Sequence, residues 1–409
     1  MGKTIIEKIL QNHSEQKVEP GKIVWIDIDI RTARDFGGPN VVKNLEKYYP
    51  DTEIPDKSNA FFTFDTVVPA KTIPYANSQQ ICRDFAKKHG LKVYDVNAGI
   101  GTHILMEKGF ALPGKTLVGT DSHFNILGAV GAFGQGMGDQ DIAFAFITGR
   151  NWFEVPETIK INLKGTFSYP TTGKDLVLYI LRKIGSKGVL GKSVEYYGEC
   201  LKDFSFSEVV TLSSMTTEMG GIIAYPHPNE NVKDWLKEHT GETPEFIYAD
   251  EDAKYLDEME IDVSNLKPQI AAPPKPDNVF DVEKLKGQKV DSVFVGSCTN
   301  GRIEDMRLVA DIIKGKKIAD DVMLRVVPTT SEVYGQMLSE GLIKVLYNAG
   351  AVVSNPGCGG CANGQIGMTG KGEVQISTGN RNFTGKQGYG DTYLASPVTA
   401  ARAALKGSL

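Results

Sequence analysis

Nowhere in its 409 residues does the chain hold an apolar run of the ~18 residues that a membrane-spanning helix needs. It also lacks charge of one dominant sign. Its 45 basic and 50 acidic side chains leave a formal charge of −5, with no basic block and no acidic tail. A nucleic-acid footprint would gather Lys and Arg on one face, so nucleic acid is not expected as a partner. The N-terminus has an early acidic residue, Glu7, and no long apolar stretch, so a secretory signal is not expected and a cytoplasmic location is. Cysteine is scarce: Cys82, Cys200, Cys298, Cys358 and Cys361. So few in a large intracellular chain do not make a disulfide framework. Close-spaced thiols in a reducing compartment more often bind metal or do redox work.

Glycine is what abounds, with 44 residues in a composition that is 41% hydrophobic and 23% charged. That balance is globular and rich in tight turns, and the length suggests roughly two or three domains. No internal repeat is visible. Apolar and acidic residues alternate over 22–30, which predicts a strand, and 158–163 reads the same way. Helices are predicted over 79–89, 141–152 and 173–184, with a short strand at 92–96. Strand–helix alternation of this kind predicts α/β layers. Residues 266–277 hold four prolines without periodicity and are expected to be an extended linker. Beyond them, strands at 290–297 and 322–327 alternate with helices at 303–314 and 331–340. The expected organisation is an α/β fold in three units: 1–157, 158–275 ending in the proline-rich linker, and 276–409.

The strongest chemical signal is Pro356-Gly357-Cys358-Gly359-Gly360-Cys361, a Cys-x-x-Cys on a glycine-rich turn after the apolar stretch 351–354. Two thiolates at this spacing can grip one metal centre, and glycines let backbone N–H groups approach them. Alone, the motif fits a metal site, thiol exchange or a plain turn. Cys298, in Gly296-Ser297-Cys298-Thr299-Asn300, also stands where a strand meets a loop. Strand C-termini are where sites assemble in parallel α/β domains. Three thiolates with no obvious fourth match neither a structural zinc site nor a four-cysteine electron-transfer cluster. A cubane held by three cysteines would leave one iron free to act on substrate as a Lewis acid. Cys82 and Cys200 read as packing or surface residues.

At these turns the chain resembles the aconitase family, and within it the large-subunit branch of 3-isopropylmalate dehydratase and homoaconitase. The resemblance runs nearly end to end. Thr4-Ile5-Ile6-Glu7-Lys8-Ile9-Leu10, Gly119-Thr120-Asp121-Ser122-His123, Gly134-x-Gly136-x-Gly138, Asn380-Arg381-Asn382-Phe383-Thr384-Gly385-Lys386 and Ala395-Ser396-Pro397 follow in the family's order. It implies three α/β/α domains around a central [4Fe-4S] cluster, without the swivelling domain, and Cys298, Cys358 and Cys361 as the cluster ligands. It implies a hydro-lyase acting on a hydroxy di- or tricarboxylic acid of the 3-isopropylmalate type or a related anion. It also implies a separate small subunit that supplies the swivel domain. The catalytic residues it carries over are His103, Asp121, His123, Asp65 and Glu218. An aspartate beside a histidine orients the imidazole and favours its charged form, suited to protonating a leaving hydroxyl. Arg34, Ser122, Arg381, Lys386, Asn380 and Asn300 are the expected substrate-binding residues. Taken singly, His103 would be a satisfied structural histidine and Asp-Ser-His a helix cap. The joint pattern is what assigns them.

Several positions depart from the family's pattern. Asp65-Thr66 stands where Asp-His is usual, Arg34 where His or Gln is usual, Phe124 for Thr, Ser214 for Asn and Lys386 for Arg. With the three cysteines kept, the expected consequence is a shifted substrate, and Arg34 adds a fork suited to another anionic group. Two readings from other classes compete: a cluster-sensing RNA-binding regulator, which the charge balance opposes, and an electron-transfer protein, which would need a fourth cysteine ligand.

Overall fold

The computed structural model describes residues 2–362 and 365–409. Five parallel strands form one sheet, in the order Lys92–Tyr94, Ala60–Thr63, Ile30–Arg34, Thr116–Gly119, Phe133–Gly136. Ala60–Thr63 and Thr116–Gly119 are buried along their whole length, as strands covered on both faces are. Four parallel strands, Ile223–Pro226, Ser193–Gly198, Thr158–Lys164 and Asp257–Asp262, make a second sheet. The third runs Val279–Asp281, Gln269–Ala271, Asp391–Ala395, Val374–Ser377, Ser292–Val295, Met323–Val326, Val352–Val353. A buried apolar cluster that includes Phe61, Leu117, Ile161 and Val194 joins the first two sheets and reaches Cys298 and Cys358. Val293, Leu324, Ile376 and Met306 belong to a separate core inside the third. Among the described residues, no helix is long and apolar enough to cross a membrane.

Most expected elements stand within a few residues of their predicted ends. The helix Gly173–Ile184 starts at Thr172 and Asp175, which form a reciprocal capping box. Three expectations are corrected. Residues 22–30 are not one strand. Ile23–Asp27 pairs antiparallel with Arg150–Glu154 while Ile30–Arg34 enters the five-stranded sheet. The break lies at Asp29, whose carboxylate is bound by the Thr116 amide at 2.9 Å and by His13 Nε2 at 2.9 Å. The helix expected over 141–152 is Asp139–Thr148, closed by Gly149 at φ +67°, and the chain then continues as a strand. The proline-rich segment is not irregular throughout. Its Gln269–Ala271 pairs with both Val279–Asp281 and Asp391–Ala395, so the seven-stranded sheet begins before residue 276.

This topology gathers chemistry at strand C-termini. Arg34 ends its strand, and Asp121 to His123 follow Thr116–Gly119 directly. Cys298 follows Ser292–Val295, and Asn380 and Arg381 follow Val374–Ser377.

Candidate active site

The Cys298 turn is bent at Gly296 (φ +154°) and at Ser297, one of few non-glycine residues with positive φ (+77°). The left-handed conformation is unfavourable for serine, and the Ser297 hydroxyl offsets it by accepting the Thr299 amide at 3.2 Å. The outcome is a buried Cys298 thiol aimed at Asn380, whose Nδ2 lies 3.5 Å from Sγ. The Cys361 Sγ lies 3.6 Å from Asn380 Oδ1, so one carboxamide touches two thiols. The Asn380 amide is held in turn by Ser214 Oγ at 3.2 Å and by Thr299 Oγ1. Cys358 is fixed through its backbone, which donates to the Asp65 carbonyl at 2.9 Å, and the Cys361 amide returns to the Cys358 carbonyl at 3.2 Å. Burial pushes the Cys298 thiol up to about 12, with Asp121 and Cys361 adding to it.

His103 is placed differently from expectation. It is fully buried, and Arg302 Nη1 lies 2.9 Å from its Nδ1. Arginine can only donate, so Nδ1 accepts and Nε2 carries the hydrogen, which it donates to the Cys298 carbonyl at 2.8 Å. Burial, reinforced by Arg302, pulls the imidazole down to about 3. His103 is therefore a neutral strut under the Cys298 turn with both nitrogens occupied, and it has no free position for moving a proton.

The expected pairing of Asp121 with the His123 ring is also corrected. Asp121 Oδ1 accepts the His123 backbone amide at 3.0 Å and lies 3.1 Å from Arg34 Nη1. The ring's carboxylate partner is Glu218, with Nε2 to Oε1 at 2.8 Å. The same Oε1 accepts Arg381 Nε at 2.8 Å. Ser122 Oγ sits between, 3.3 Å from His123 Nδ1 and 3.3 Å from Arg381 Nη1. Burial acts to raise Glu218, but His123 and Arg381 outweigh it and hold the carboxyl below its ordinary value. Burial likewise opposes ionisation of Asp121, and Arg34 and His123 overcome it.

Asp65 does not project into a cavity. Its Oδ2 accepts the Gly101 amide at 2.9 Å, while Oδ1 takes Arg34 Nε at 2.8 Å and Nη2 at 2.6 Å. Burial raises it to about 6, against the pull of Arg34. Asn300, expected beside the thiols, turns its amide to Thr211 Oγ1 and Asp305 Oδ1, both at 3.0 Å. It supports the layer behind Cys298.

In front of these groups opens a cavity of about 760 Å³, lined by Arg34, Thr66, Lys71, Tyr75, Ser122, Phe383 and Lys386 among others. The five departures from the family's pattern separate here. Arg34, Thr66 and Lys386 line the cavity, and Ser214 lies under Cys298, its Oγ 3.9 Å from Sγ. Phe124 belongs to the apolar core. A Cβ added to Gly119 would meet the Phe124 ring at 2.3 Å, so that glycine and this phenylalanine fit each other.

Among the described residues, no three His, Cys, Asp or Glu side chains could hold a single metal ion. A cluster spreads its thiolates wider than one ion does. Two thiols on one carboxamide, a third (Cys358) near enough to Cys361 to interact with it electrostatically, and no fourth among the described residues suit a cluster with an open iron better than a tetrahedral zinc.

The aconitase family (aconitate hydratase) model matches residues 7–289 and 282–407. The chain belongs to the aconitase family. A probable 3-isopropylmalate dehydratase large subunit of Methanothermobacter thermautotrophicus is 41% identical over 413 residues, covering 100% of this chain and 98% of the relative. The 3-isopropylmalate dehydratase large subunit 1 of Methanopyrus kandleri is 40% identical over 412 residues, covering 100% and 98%. Among solved structures, Thermococcus kodakaraensis aconitase X superposes with a TM-score of 0.55 at 12% identity, over 92% of this chain and 87% of that one. That likeness is one of fold alone. As an aconitase-family member the chain is a carbon–oxygen hydro-lyase of that type.

Several residues of this aconitase-type site went unseen in the sequence. Arg302 holds His103 and stacks over Phe206 at 4.6 Å and Trp235 at 5.0 Å. Asp35 accepts the amides of Asp65, Thr66 and Val67 at 3.2, 3.0 and 3.3 Å, fixing the loop that carries Asp65. Its position right after Arg34 at a strand end was an available signal. Lys174, fully buried, donates to the Thr378 and Gly379 carbonyls at 3.2 and 2.8 Å, just before Asn380. Burial draws it down to about 8.

Glu107, one turn beyond His103, is buried and accepts Thr330 Oγ1 at 2.7 Å. Burial pushes it up to about 7, against the pull of Arg302. Between its unfolded pKa near 4.5 and about 7 the native state holds the extra proton, so Glu107 removes stability as pH rises through that window. Glu107→Gln keeps an acceptor for Thr330. It is expected to stabilise the protein on the order of 2 kcal/mol at pH ~8 and far less at pH ~5. Thermal melts of both proteins at the two pH values check this, and an equal effect at both would contradict it.

Proposed function

We propose that Cys298, Cys358 and Cys361 hold a [4Fe-4S] cluster and that the chain is the large subunit of a dehydratase for a hydroxy di- or tricarboxylic acid of the 3-isopropylmalate type. The observation that carries this is the meeting of the Cys298 and Cys361 thiols on Asn380, beside the His123–Glu218–Arg381 group. When bound, such a cluster supplies a Lewis-acid iron for a substrate hydroxyl and carboxylate. The remaining work falls to side chains. His123, oriented by Glu218, protonates the leaving hydroxyl from Nδ1, the nitrogen that faces Ser122. Arg381 and Lys386 take substrate carboxylates, and Ser122 hydrogen-bonds the substrate between them. Asp65 and Asp121 act indirectly, by fixing Arg34 and the His123 backbone. Arg34 lines the cavity and is at the same time engaged by both carboxylates. The named relatives are enzymes, which favours catalysis over an RNA-binding regulator.

The relatives' designation as large subunits supports a separate small swivel-domain subunit that completes the site with a base for the carbon-bound proton. A cytoplasmic location suits a cluster with an exposed iron. Lacking that base, the loaded chain by itself is expected to turn over about 10²- to 10⁴-fold more slowly than with its partner. Anaerobic assays of hydroxy-acid dehydration with and without the small subunit test this. Full activity of the isolated chain would refute the two-subunit reading.

A further inference from the structure

The Arg34 guanidinium is held at all three of its nitrogens, on a residue that also lines the cavity. Nε and Nη2 donate to Asp65 Oδ1 at 2.8 and 2.6 Å, and Nη1 lies 3.1 Å from Asp121 Oδ1. Nη2 also lies 2.8 Å from the Cys358 sulfur. Two carboxylates therefore hold the fork in one orientation, and that orientation presents an N–H to a thiol. The backbone completes the lock: the Cys358 amide donates to the carbonyl of Asp65, the residue that grips Arg34. Donor and sulfur are registered by the same loop.

We propose that Arg34 tunes the cluster through its ligand Cys358, donating a hydrogen bond to the thiolate and stabilising the cluster's more reduced state. This rests on the cluster reading above and extends it to a residue with no direct part in the chemistry. A donor to a ligand sulfur draws electron density away from iron, and cluster potentials respond to hydrogen bonds on sulfur and to nearby charge. Arginine is suited to the task because a single planar fork can satisfy two carboxylates and still present an N–H to a third acceptor. Histidine or glutamine, usual at this position in the family's pattern, could not meet all three acceptors at once. Arg34 is a positioning and tuning residue. It acts through the cluster ligand Cys358.

The test is a potentiometric titration with dithionite as electron donor, followed by EPR of the reduced cluster, on anaerobically reconstituted wild-type, Arg34→Gln and Arg34→Lys chains. At the wild-type midpoint, Arg34→Gln is expected to show a reduced-to-oxidised ratio lower by about tenfold, equivalent to ~59 mV for one electron. Arg34→Lys, which keeps the charge and loses the fork, should recover part of the difference. Equal midpoints in all three loaded chains would overturn the proposal. Should the variants fail to load, pulsed EPR of wild type carrying isotopically labelled arginine decides. A weak arginine-nitrogen coupling supports the hydrogen bond, and its absence overturns it. A wild-type chain that never takes up iron would instead overturn the cluster reading itself, and the tuning role with it.

Discussion

A Cys298→Ala chain is expected to leave anaerobic reconstitution with under about one-tenth of the wild-type iron and no measurable dehydratase activity. Even second-layer changes at metal sites lower affinity by about 10- to 100-fold, and here one of three thiolates is lost. The Lewis acid provides several kcal/mol at the transition state, and at about 1.36 kcal/mol per tenfold the rate should fall at least ~10³-fold. The fold should survive, because the change removes only one sulfur from a turn held by other bonds. His103 still donates to the residue 298 carbonyl, and Thr299 to Ser297. Iron content, visible absorption and far-UV circular dichroism of one preparation separate loss of cluster from loss of structure. Full iron content in Cys298→Ala would mean that the cysteine is not a ligand.

His123→Ala should remove the proton donor and lower kcat by about 10²- to 10⁴-fold while leaving the iron content intact. Glu218→Gln should be milder and of a different kind. Its Oε1 is shared by His123 Nε2 and Arg381 Nε, so the amide can no longer offer a charged acceptor to both. A drop of about 10- to 100-fold in kcat together with a raised KM is expected, because the proton donor and the carboxylate clamp loosen together. Steady-state kinetics at saturating small subunit check both variants. A kcat loss in Glu218→Gln equal to that in His123→Ala, with KM unchanged, would show that Glu218 serves the histidine alone.

What the sequence displayed, and what it hid, follows from the range of the interactions. The glycine-rich turns at 296–300 and 356–361 were legible because a strand, a small-residue turn and a cysteine are adjacent in the chain. Long-range pairings were not. Asp121 stands two residues from His123, and proximity suggested their partnership. The fold instead brings in Glu218 from a short turn, Thr216–Met219, beyond the helix Phe206–Met215. His103 looked like an acid–base residue until Arg302 was seen to occupy its Nδ1. That Asp65 and Asp121 close around Arg34 was equally invisible in the chain. Proline density hid the strand Gln269–Ala271. Pro268 and Pro273 bound it, yet its own residues keep the amides that pair with both neighbours.

Three thiolates leave one iron of a four-iron cluster without a protein ligand, and Mössbauer spectroscopy of the iron-enriched, anaerobically loaded chain tests that most directly. On addition of a hydroxy-acid substrate, one iron in four is expected to shift while the other three stay as they were. A spectrum in which all four irons remain equivalent with substrate present would contradict an open iron, and iron bound singly would contradict the cluster.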